Sequence, residues 1–261
     1  MKPLGKKQTI SHEQFLEVFQ KIEQVVSRSE LDALVDRTVE NIKATTSGKR
    51  AAYSWSGGKD SIALGGVCEL AGVKPCVFGM THGLEYPAFL AWITDHMPHE
   101  LEVISTGLDL AWLAKHPEML FPRDSRLDAK WFKLIQHKAQ AQYYKKHKLD
   151  MLILGRRLGD GNFCGPKGAY VYETKGVTRY SPIAEWRHED IFAFIHYYKC
   201  PIPPIYQWPR GFRVGTGAWP ARQWTESEEQ GWEEVWTIDP SIVHEAASVL
   251  PQARAFLRGR V

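Results

Sequence analysis

Hydrophobic residues recur at helical spacing through the first 46 positions of the chain. Ser11 and Gln14 form a capping-box pattern, and the apolar residues beyond them share one helical face. These apolar residues are Phe15, Phe19, Ile22 and Val26. Ser27 and Glu30 begin a second pattern of the same kind, which ends near Ser47. We therefore predict two helices whose apolar faces pack against the rest of the protein.

From residue 51 onward, short apolar runs alternate with helical patterns. The runs predict strands at residues 51–55, 75–80, 101–104 and 151–154. Helices are predicted between them at residues 61–71, 86–97 and 124–148. This alternation predicts an α/β fold with a mostly parallel sheet and helices on both faces. The loops at the carboxyl ends of such strands lie at one edge of the sheet, where ligands bind.

The sequence has a different character after Gly155. Residues 159–180 are rich in glycine and predict a long loop or a hairpin, and residues 186–198 predict a helix. Residues 208–237, rich in Trp and Gly, are expected to be irregular, before a last helix from Asp239 to about Leu250. Arginines among these tryptophans could close over a nucleotide, although a small core is favoured.

The predicted organisation is therefore a helical extension, a central domain and an irregular Trp-rich extension. Their boundaries are residues 1–47, 48–207 and 208–261.

Composition and charge narrow the class of protein. Hydrophobic residues make up 44% of the 261 positions and charged residues 24%, which is typical of a globular chain with its own core. The net charge of +3 is too small to indicate nucleic-acid binding by itself. The sequence has neither an apolar leader nor a run long enough to cross a bilayer. We therefore expect a cytoplasmic protein that does not bind membranes.

The four cysteines, Cys68, Cys76, Cys164 and Cys200, are too few and too scattered to form a disulfide framework. Because none belongs to a CxxC motif, we expect no iron–sulfur cluster. Cys68 and Cys76 fall on a predicted helix face and strand and are expected in the core. Cys164, in a glycine-rich loop, is the one candidate for a reactive thiol, although its placement alone favours an unreactive one.

Residues 56–61 read Ser-Gly-Gly-Lys-Asp-Ser, between a predicted strand and a predicted helix. Two glycines permit a tight turn close to a ligand, and the amides of the first helical turn then form an anion site. Ser56 and Ser61 add hydroxyls, and Lys59 adds a charge that we expect to be exposed in the turn. The spacing fits neither the Walker loop nor the GxGxxG loop. The motif therefore predicts a phosphate site of another kind.

The SGGKDS segment resembles the PP-loop of the adenine nucleotide alpha-hydrolase-like enzymes, and in particular of the phosphoadenosine phosphosulfate (PAPS) reductase-like family. Residues 81–87 (THGLEYP), 154–157 (LGRR) and 180–191 (YSPIAEWRHEDI) are similar to further motifs of that family, in the same order. The turn at residues 203–206 (PPIY) is similar as well. The resemblance extends from about residue 50 to residue 206 and leaves out both ends of the chain.

The resemblance implies a Rossmann-like sheet and a bound adenine nucleotide, ATP or a relative. This nucleotide is either cleaved at the α phosphate to adenylate an acceptor or reduced. The resemblance also implies catalytic roles for Lys59, Asp60 and Arg157, and a Mg²⁺ ion at Asp60. An acidic residue in a first helical turn is equally well explained by the helix dipole, so both interpretations of Asp60 stay open. The nucleotide contacts are expected from Ser54, Ser56, Gly57, Gly58, Lys59, Asp60, Ser61, Met80, Thr81, Gly155, Arg156 and Arg157. His82 and Glu85 are expected at the same edge of the sheet.

Thioredoxin-dependent reductases of the family carry a cysteine near the C terminus, and this chain has none after Cys200. We therefore favour adenylation of an acceptor over reduction of PAPS. A third alternative is a nucleotide-binding or nucleic-acid-modification partner without turnover of its own. The expected ligand is a small-molecule nucleotide, with a protein or nucleic acid as the acceptor. The sequence leaves open whether the chain forms a homo-oligomer.

Overall fold

A six-stranded sheet forms the centre of the molecule. The computed structural model describes residues 4–168 and 170–260. The strands are β1 (Ala51–Ser54), β2 (Cys76–Met80), β3 (Leu101–Ser105), β4 (Met151–Ile153), β5 (Val171–Thr174) and β6 (Val177–Tyr180). Their order is β3-β2-β1-β4-β6-β5, and every neighbouring pair is parallel except the β5–β6 hairpin. The prediction of a mostly parallel sheet is confirmed, and residues 159–180 contain the hairpin.

The direction in which strands are added reverses at β1. The chain proceeds from β1 to β2 and β3 on one side, and then places β4 on the other side of β1. Loops that leave β1 and β4 therefore diverge and leave a crevice at their carboxyl ends. This switch point is where ligands bind in open α/β sheets.

Helices cover both faces of the sheet, as predicted. The α-helices are α1 (His12–Gln20), α2 (Arg28–Thr46), α3 (Lys59–Leu70), α4 (Pro87–His96), α5 (Leu110–Lys115), α6 (Ser125–Phe132), α7 (Lys138–Lys146), α8 (His188–Tyr197), α9 (Gly211–Val214), α10 (Glu228–Ile238), α11 (Pro240–Val249) and α12 (Pro251–Arg258). α3, α8 and α2 pack together on one face. On the other face, Tyr143 and Tyr144 of α7 cover Val77 and Leu152. None of the helices in the described ranges is long and apolar enough to cross a membrane.

Both capping boxes form at the predicted positions. The Ser11 hydroxyl accepts from the Gln14 amide and caps α1, and the Ser27 hydroxyl caps α2 in the same way through Glu30. Because each cap satisfies two backbone groups that a helix end leaves unpaired, the helix starts are encoded locally.

The long helix predicted over residues 124–148 is interrupted. A π turn at Lys133–His137 joins α6 to α7, and it lies against β2 at Gly79. A Cβ atom at Gly79 would come within 2.8 Å of the Ile135 carbonyl oxygen and 2.7 Å of the Ala139 Cβ. The bulged backbone therefore fits against the sheet only because residue 79 has no side chain.

The C-terminal segment is more regular than predicted. Residues 228–238 form α10, and the chain continues through α11 into α12. A glycine such as Gly231 has a low helix propensity, which weakens the helical pattern of this segment. The packing nevertheless requires glycine at this position, because the Phe121 ring would lie 2.3 Å from a Cβ atom there. Arg210 and Arg222 both pair with Glu234, and Trp232 is buried, so this segment builds a core rather than a lid.

An aromatic cluster joins the two ends of the chain to the central domain. The rings of Phe15 and Phe212 stack with centroids 5.9 Å apart, and Phe192 of α8 packs edge-on against both, 6.1 Å from Phe15 and 5.2 Å from Phe212. All three predicted segments thus contribute to one hydrophobic core. Their division at residues 47 and 207 stays a prediction.

Candidate functional site

Residues 56–61 form a tight turn at the carboxyl end of β1. Gly57 has a φ of +68°, and a Cβ atom there would lie 3.0 Å from the Phe89 ring, so glycine is required for conformation and for space. The Ser61 hydroxyl accepts from the Ser56 amide at 3.0 Å and donates to the Gly58 carbonyl at 2.9 Å. The predicted turn is present, but Ser61 stabilises the turn from within.

The N terminus of α3 lies directly after this turn. Gly58 is the N-cap residue of α3, and as a glycine it has no side chain that could cap the helix. The Lys59 amide donates to the Tyr206 hydroxyl over 2.6 Å, and burial raises the pKa of that phenol above its ordinary value. The remaining first-turn amides and the helix dipole make this end of α3 suited to an anion.

Lys59, Asp60 and Arg157 form one ion-pair network. The carboxylate of Asp60 accepts from the Lys59 Nζ through Oδ2 and from the Arg157 Nε through Oδ1, each over 2.7 Å. Lys59 is only 2% exposed, so the expectation of an exposed lysine is wrong. The side chain folds back to pair with Asp60, and the Lys59 amide contacts Tyr206.

Burial and charge act against each other in this network. Burial alone would raise the pKa of Asp60, but the charges of Arg157 and Lys59 outweigh it and hold that pKa below its ordinary value. Burial lowers the pKa of Lys59 despite the nearby carboxylate. Burial would lower the pKa of Arg157 too, but Asp60 and Asp160 raise it. The charges of Lys59 and Arg157 are thus balanced by those of the carboxylates of Asp60 and Asp160.

His188 completes the surroundings of Arg157. Its Nδ1 atom accepts from the Arg157 Nη2 over 3.0 Å, so the ring proton lies on Nε2, which has no hydrogen-bond partner. Burial, followed by the charges of Arg157 and Lys59, lowers the pKa of His188 to about 3. His188 is therefore a neutral acceptor that holds the guanidinium in place.

The predicted Mg²⁺ does not fit Asp60. Both oxygens of the carboxylate are engaged with cations, whereas Mg²⁺ requires oxygen ligands with free lone pairs. Within residues 4–168 and 170–260, no group of three or more His, Cys, Asp or Glu side chains could hold a metal ion. The ion pair with Arg157 also shows that Asp60 does more than interact with the helix dipole.

The loop after β2 is held by its own acidic residue. The backbone amide and the hydroxyl of Thr81 both donate to Glu85, over 2.7 and 2.6 Å, and the Met80 carbonyl accepts from Thr106. The backbone groups predicted to meet an adenine edge therefore have partners within the protein. Glu85 is buried and shapes this loop, and the amide of the neighbouring His82 donates to Leu108.

The other predicted contacts are spread around the switch point. The Ser54 hydroxyl accepts from Gln140 of α7 over 3.0 Å. A Cβ atom at Gly155 would lie 3.4 Å from the Asp60 carbonyl, so this glycine lets the chain leave β4 close to α3. Arg157 faces the loop, whereas the guanidinium of Arg156 contacts Phe163, outside residues 56–61.

Two hydroxyl groups beside the loop were not predicted as site residues. The Thr216 Oγ1 and the Tyr206 hydroxyl lie 3.1 and 3.5 Å from the position of a Cβ atom on Gly58. Thr216 stands between two glycines, Gly215 and Gly217, and that pattern in the Trp-rich tail is the only sequence signal for it. Both residues belong to segments that reach the loop only in the folded chain.

Residues 50–216 match the family model of the phosphoadenosine phosphosulfate reductase domain. The chain belongs to this family. The PAPS reductase-like resemblance of the SGGKDS segment is thereby confirmed, together with membership of the PP-loop superfamily. The match includes Thr216, ten residues beyond the last motif that the sequence revealed.

Several solved structures are similar to this member of the PAPS reductase domain family. The PAPS reductase from Candida auris, in complex with phosphate, is 16% identical, with 70% of this chain and 92% of that chain covered and a TM-score of 0.48. The FMN adenylyltransferase from Candida glabrata, with FAD and inorganic pyrophosphate, is 15% identical, with coverages of 76% and 69% and a TM-score of 0.46. No curated protein sequence matches the chain.

The prediction that excluded an iron–sulfur cluster is wrong. A third similar structure, the U34-tRNA thiolase NcsA from Methanococcus maripaludis, holds a [4Fe-4S] cluster; it is 14% identical, with coverages of 87% and 78% and a TM-score of 0.45. The exclusion relied on the lack of a local CxxC motif. Cluster ligands need not be neighbours in sequence, because folding can bring distant side chains together.

Three of the four thiols of this PAPS reductase-like chain are buried, and Cys200 is partly exposed. Cys68 and Cys76 lie in the core as predicted, and burial raises the pKa of Cys76 to about 12. Burial also raises the pKa of Cys164, which is 2% exposed, and raises that of Cys200 to about 11. Cys164 is therefore unsuited to act as a reactive thiolate, because its loop folds inward.

Proposed function

We propose that the chain binds ATP or a related adenine nucleotide at residues 56–61 and transfers the adenylyl group to an acceptor. The observation that carries the proposal is the N terminus of α3, where the N-cap residue Gly58 has no side chain and follows Gly57 at positive φ. Free amides at a helix start favour phosphate through hydrogen bonds and through the helix dipole. Tyr206 and Thr216 add two hydroxyls beside Gly58.

Lys59 is the residue that we expect to contact the phosphates. An incoming phosphate offers a stronger anion than Asp60, which has a second partner in Arg157. The Lys59 ammonium can therefore turn from the carboxylate to the phosphate while Asp60 stays paired. In that position it stabilises the charge that develops on the leaving group.

Asp60 and Arg157 are positioning residues in this proposal. Arg157 is fully buried, and it joins the start of α3 to the chain beyond β4 through Asp60. Together they fix the direction in which the first amides of α3 point. Fixed donors of this kind are effective because they need not reorganise during the reaction.

The proposed reaction is a displacement at the α phosphorus. An oxygen of the acceptor forms a bond to that phosphorus, and the bond from it to the bridging oxygen of the β phosphate breaks. Pyrophosphate leaves with the electron pair of that bond, and the proton of the acceptor passes to solvent. Reduction of PAPS is not proposed, because the thiols at Cys164 and Cys200 have raised pKa values and Cys164 is buried.

The test begins with calorimetry of wild-type protein and α,β-methylene ATP, whose α–β linkage cannot be cleaved. Binding is expected, followed with ATP by release of pyrophosphate and an AMP-linked product from cell extract, detected by mass spectrometry. Absence of binding would overturn the proposal. Release of ADP and phosphate would contradict attack at the α phosphorus. Tight binding without any product would favour the alternative of a partner without turnover.

A further inference from the structure

A second group of basic residues lies at the carboxyl edge of the sheet, on the face covered by α7. It consists of Arg156, Arg179 and His137, called here the arginine cluster. Arg179 is 5% exposed, and its Nε has no hydrogen-bond partner. Among the described residues, no carboxylate lies within ion-pair distance of Arg156 or Arg179.

The sheet register brings the cluster together. Arg179 of β6 is in register with Leu152 of β4 and with Tyr172 of β5, so these side chains share one face. The Arg156 Nη1 donates to the Tyr172 hydroxyl over 3.2 Å, and its Nη2 donates to the His137 Nε2 over 3.2 Å. The acceptors around Arg156 are thus neutral groups.

The charge of the cluster is uncompensated. Burial, followed by the charges of Arg179, Arg156, Lys175 and Lys133, lowers the pKa of His137 to about 4. The imidazole is therefore neutral, and the charged groups that act on it are all cations. The neighbouring Arg157 provides the contrast, because Asp60 and Asp160 balance its charge.

We propose that the arginine cluster binds an oxyanion: a phosphate, sulfate or carboxylate group. Shielded cations without an anionic partner are costly in a folded protein, and an oxyanion with hydrogen bonds to both arginines would remove that cost. The planar guanidinium also matches the geometry of such groups. Lys175 and Lys133 extend the positive field toward solvent.

Two exposed aromatic rings flank the cluster and narrow the ligand class. Phe132, 44% exposed, packs edge-on against His137 with centroids 4.8 Å apart. Phe163, 59% exposed, packs edge-on against Tyr172 at 5.5 Å. A ligand that joins an oxyanion to a flat ring would contact both kinds of surface. This ligand is either a second substrate or a further anionic group of a nucleotide.

The first experiment measures binding of phenyl phosphate and of inorganic phosphate by calorimetry at constant ionic strength. Wild type is expected to bind phenyl phosphate more tightly than inorganic phosphate. Arg156→Gln and Arg179→Gln should each reduce the affinity for phenyl phosphate about tenfold or more, since each removes a charge-assisted contact. Arg254→Gln, an exposed arginine on α12, is the matched control and should bind like wild type. The probes contain no nucleotide, so failure of the adenylation proposal would not affect this result.

Thermal unfolding checks that the variants are folded. Arg179→Gln removes an unpaired charge, so its melting temperature without anion should equal or exceed that of wild type, and phosphate should no longer raise it. Arg179→Lys keeps the charge and should retain part of the phosphate-dependent rise.

The source of the anion follows from a comparison of the binding of ADP with that of adenosine 3′,5′-bisphosphate. If Arg179→Gln weakens binding of the bisphosphate alone, the oxyanion belongs to the nucleotide. If it weakens binding of phenyl phosphate alone, the oxyanion belongs to a second substrate. Equal binding of phenyl phosphate by wild type and by an R156Q/R179Q double variant would overturn the inference.

Discussion

At the scale of single residues, Lys59 has its backbone and its side chain in two different environments. Its backbone lies in a glycine turn that favours a ligand, and its ammonium lies in a buried ion pair with Asp60. The glycines and serines of this turn could be read from the sequence because their effect is local. The burial of Lys59 could not, because Arg157 and Tyr206, which surround it, lie 98 and 147 positions away along the chain.

Replacement of Lys59 by Ala should therefore reduce both affinity and stability. We expect nucleotide affinity to fall about tenfold to a hundredfold, since a charge-assisted contact contributes about 1.5–3 kcal/mol. The free energy of unfolding should fall by about 1–3 kcal/mol, because the Asp60 carboxylate loses one of its two cationic partners. Calorimetry and urea unfolding measure the two effects, with Lys74→Ala, exposed in the loop between α3 and β2, as the control. Unchanged affinity would contradict the phosphate role of Lys59.

The neutral state of His188 predicts how stability depends on pH. Its pKa is about 3 in the folded protein and about 6.5 when unfolded, so below pH 6.5 the unfolded chain binds a proton that the folded chain does not. Stability should therefore fall as the pH decreases from about 6.5 toward 3. His188→Asn, which keeps an acceptor for Arg157, should reduce that slope between pH 6 and 4 in urea unfolding. His137 acts in the same direction, so part of the slope should persist. An unaltered slope would mean that His188 is charged in the folded state.

At the scale of elements, helices and strands whose signals are local were predictable, and those that depend on a close approach were not. The two capping boxes and the apolar runs of β1 and β2 lie in contiguous residues. The π turn depends on Gly79 in a different element, and α10 depends on the fit of Gly231 against Phe121. A glycine weakens a local pattern whether it disrupts an element or allows a neighbour to approach, so its role becomes clear only in the packed structure.

Gly79→Ala tests the contact between β2 and the π turn. The added methyl group would meet the Ile135 carbonyl at 2.8 Å, and the backbone there cannot move without displacing α7. We expect a loss of about 1–3 kcal/mol in the free energy of unfolding. Gly217→Ala is the control, since nothing lies within 4 Å of its Cβ position. Equal stability of the two variants in urea would show that the π turn tolerates displacement.

The segment from Gly215 to Gly217 permits a second test at this scale. Thr216→Val keeps the shape of the side chain and removes the hydroxyl beside Gly58. Nucleotide affinity should fall by about threefold to tenfold, as for one neutral hydrogen bond, and the melting temperature should stay the same. Thr94→Val, on the exposed face of α4, serves as the control. If Thr216→Val binds the nucleotide like wild type, this segment does not contribute to the site.

At the scale of the whole molecule, both ends of the chain support the loop. Phe212 packs against Phe15 of α1 and lies 4.8 Å from the ring of Tyr206, whose hydroxyl accepts from the Lys59 amide. A continuous series of contacts thus leads from the N-terminal helices to the start of α3. The sequence indicated that α1 packs on the main domain, but not where, because one apolar face fits many surfaces.

Phe15→Ala should show this connection. The lost ring should lower the free energy of unfolding by about 3–5 kcal/mol. Under conditions in which the variant is fully folded, nucleotide affinity should fall as well, because Phe212 and Tyr206 lose support. Leu70→Ala, at an exposed position on α3, is the control for a truncation without loss of core. Full affinity in folded Phe15→Ala would show that the extension supports stability alone.

The pairing of Asp60 with Arg157 also has a consequence for the order of folding. The two residues are 97 positions apart, so the pair closes a long loop and forms only after β4 has been added beside β1. Residues 56–61 therefore reach their final geometry late, although they lie in the first βα unit. A nascent chain that has emerged only as far as residue 150 contains the motif without its partner. The proposed nucleotide would thus stabilise the finished domain, but it would not guide the early steps of synthesis-coupled folding.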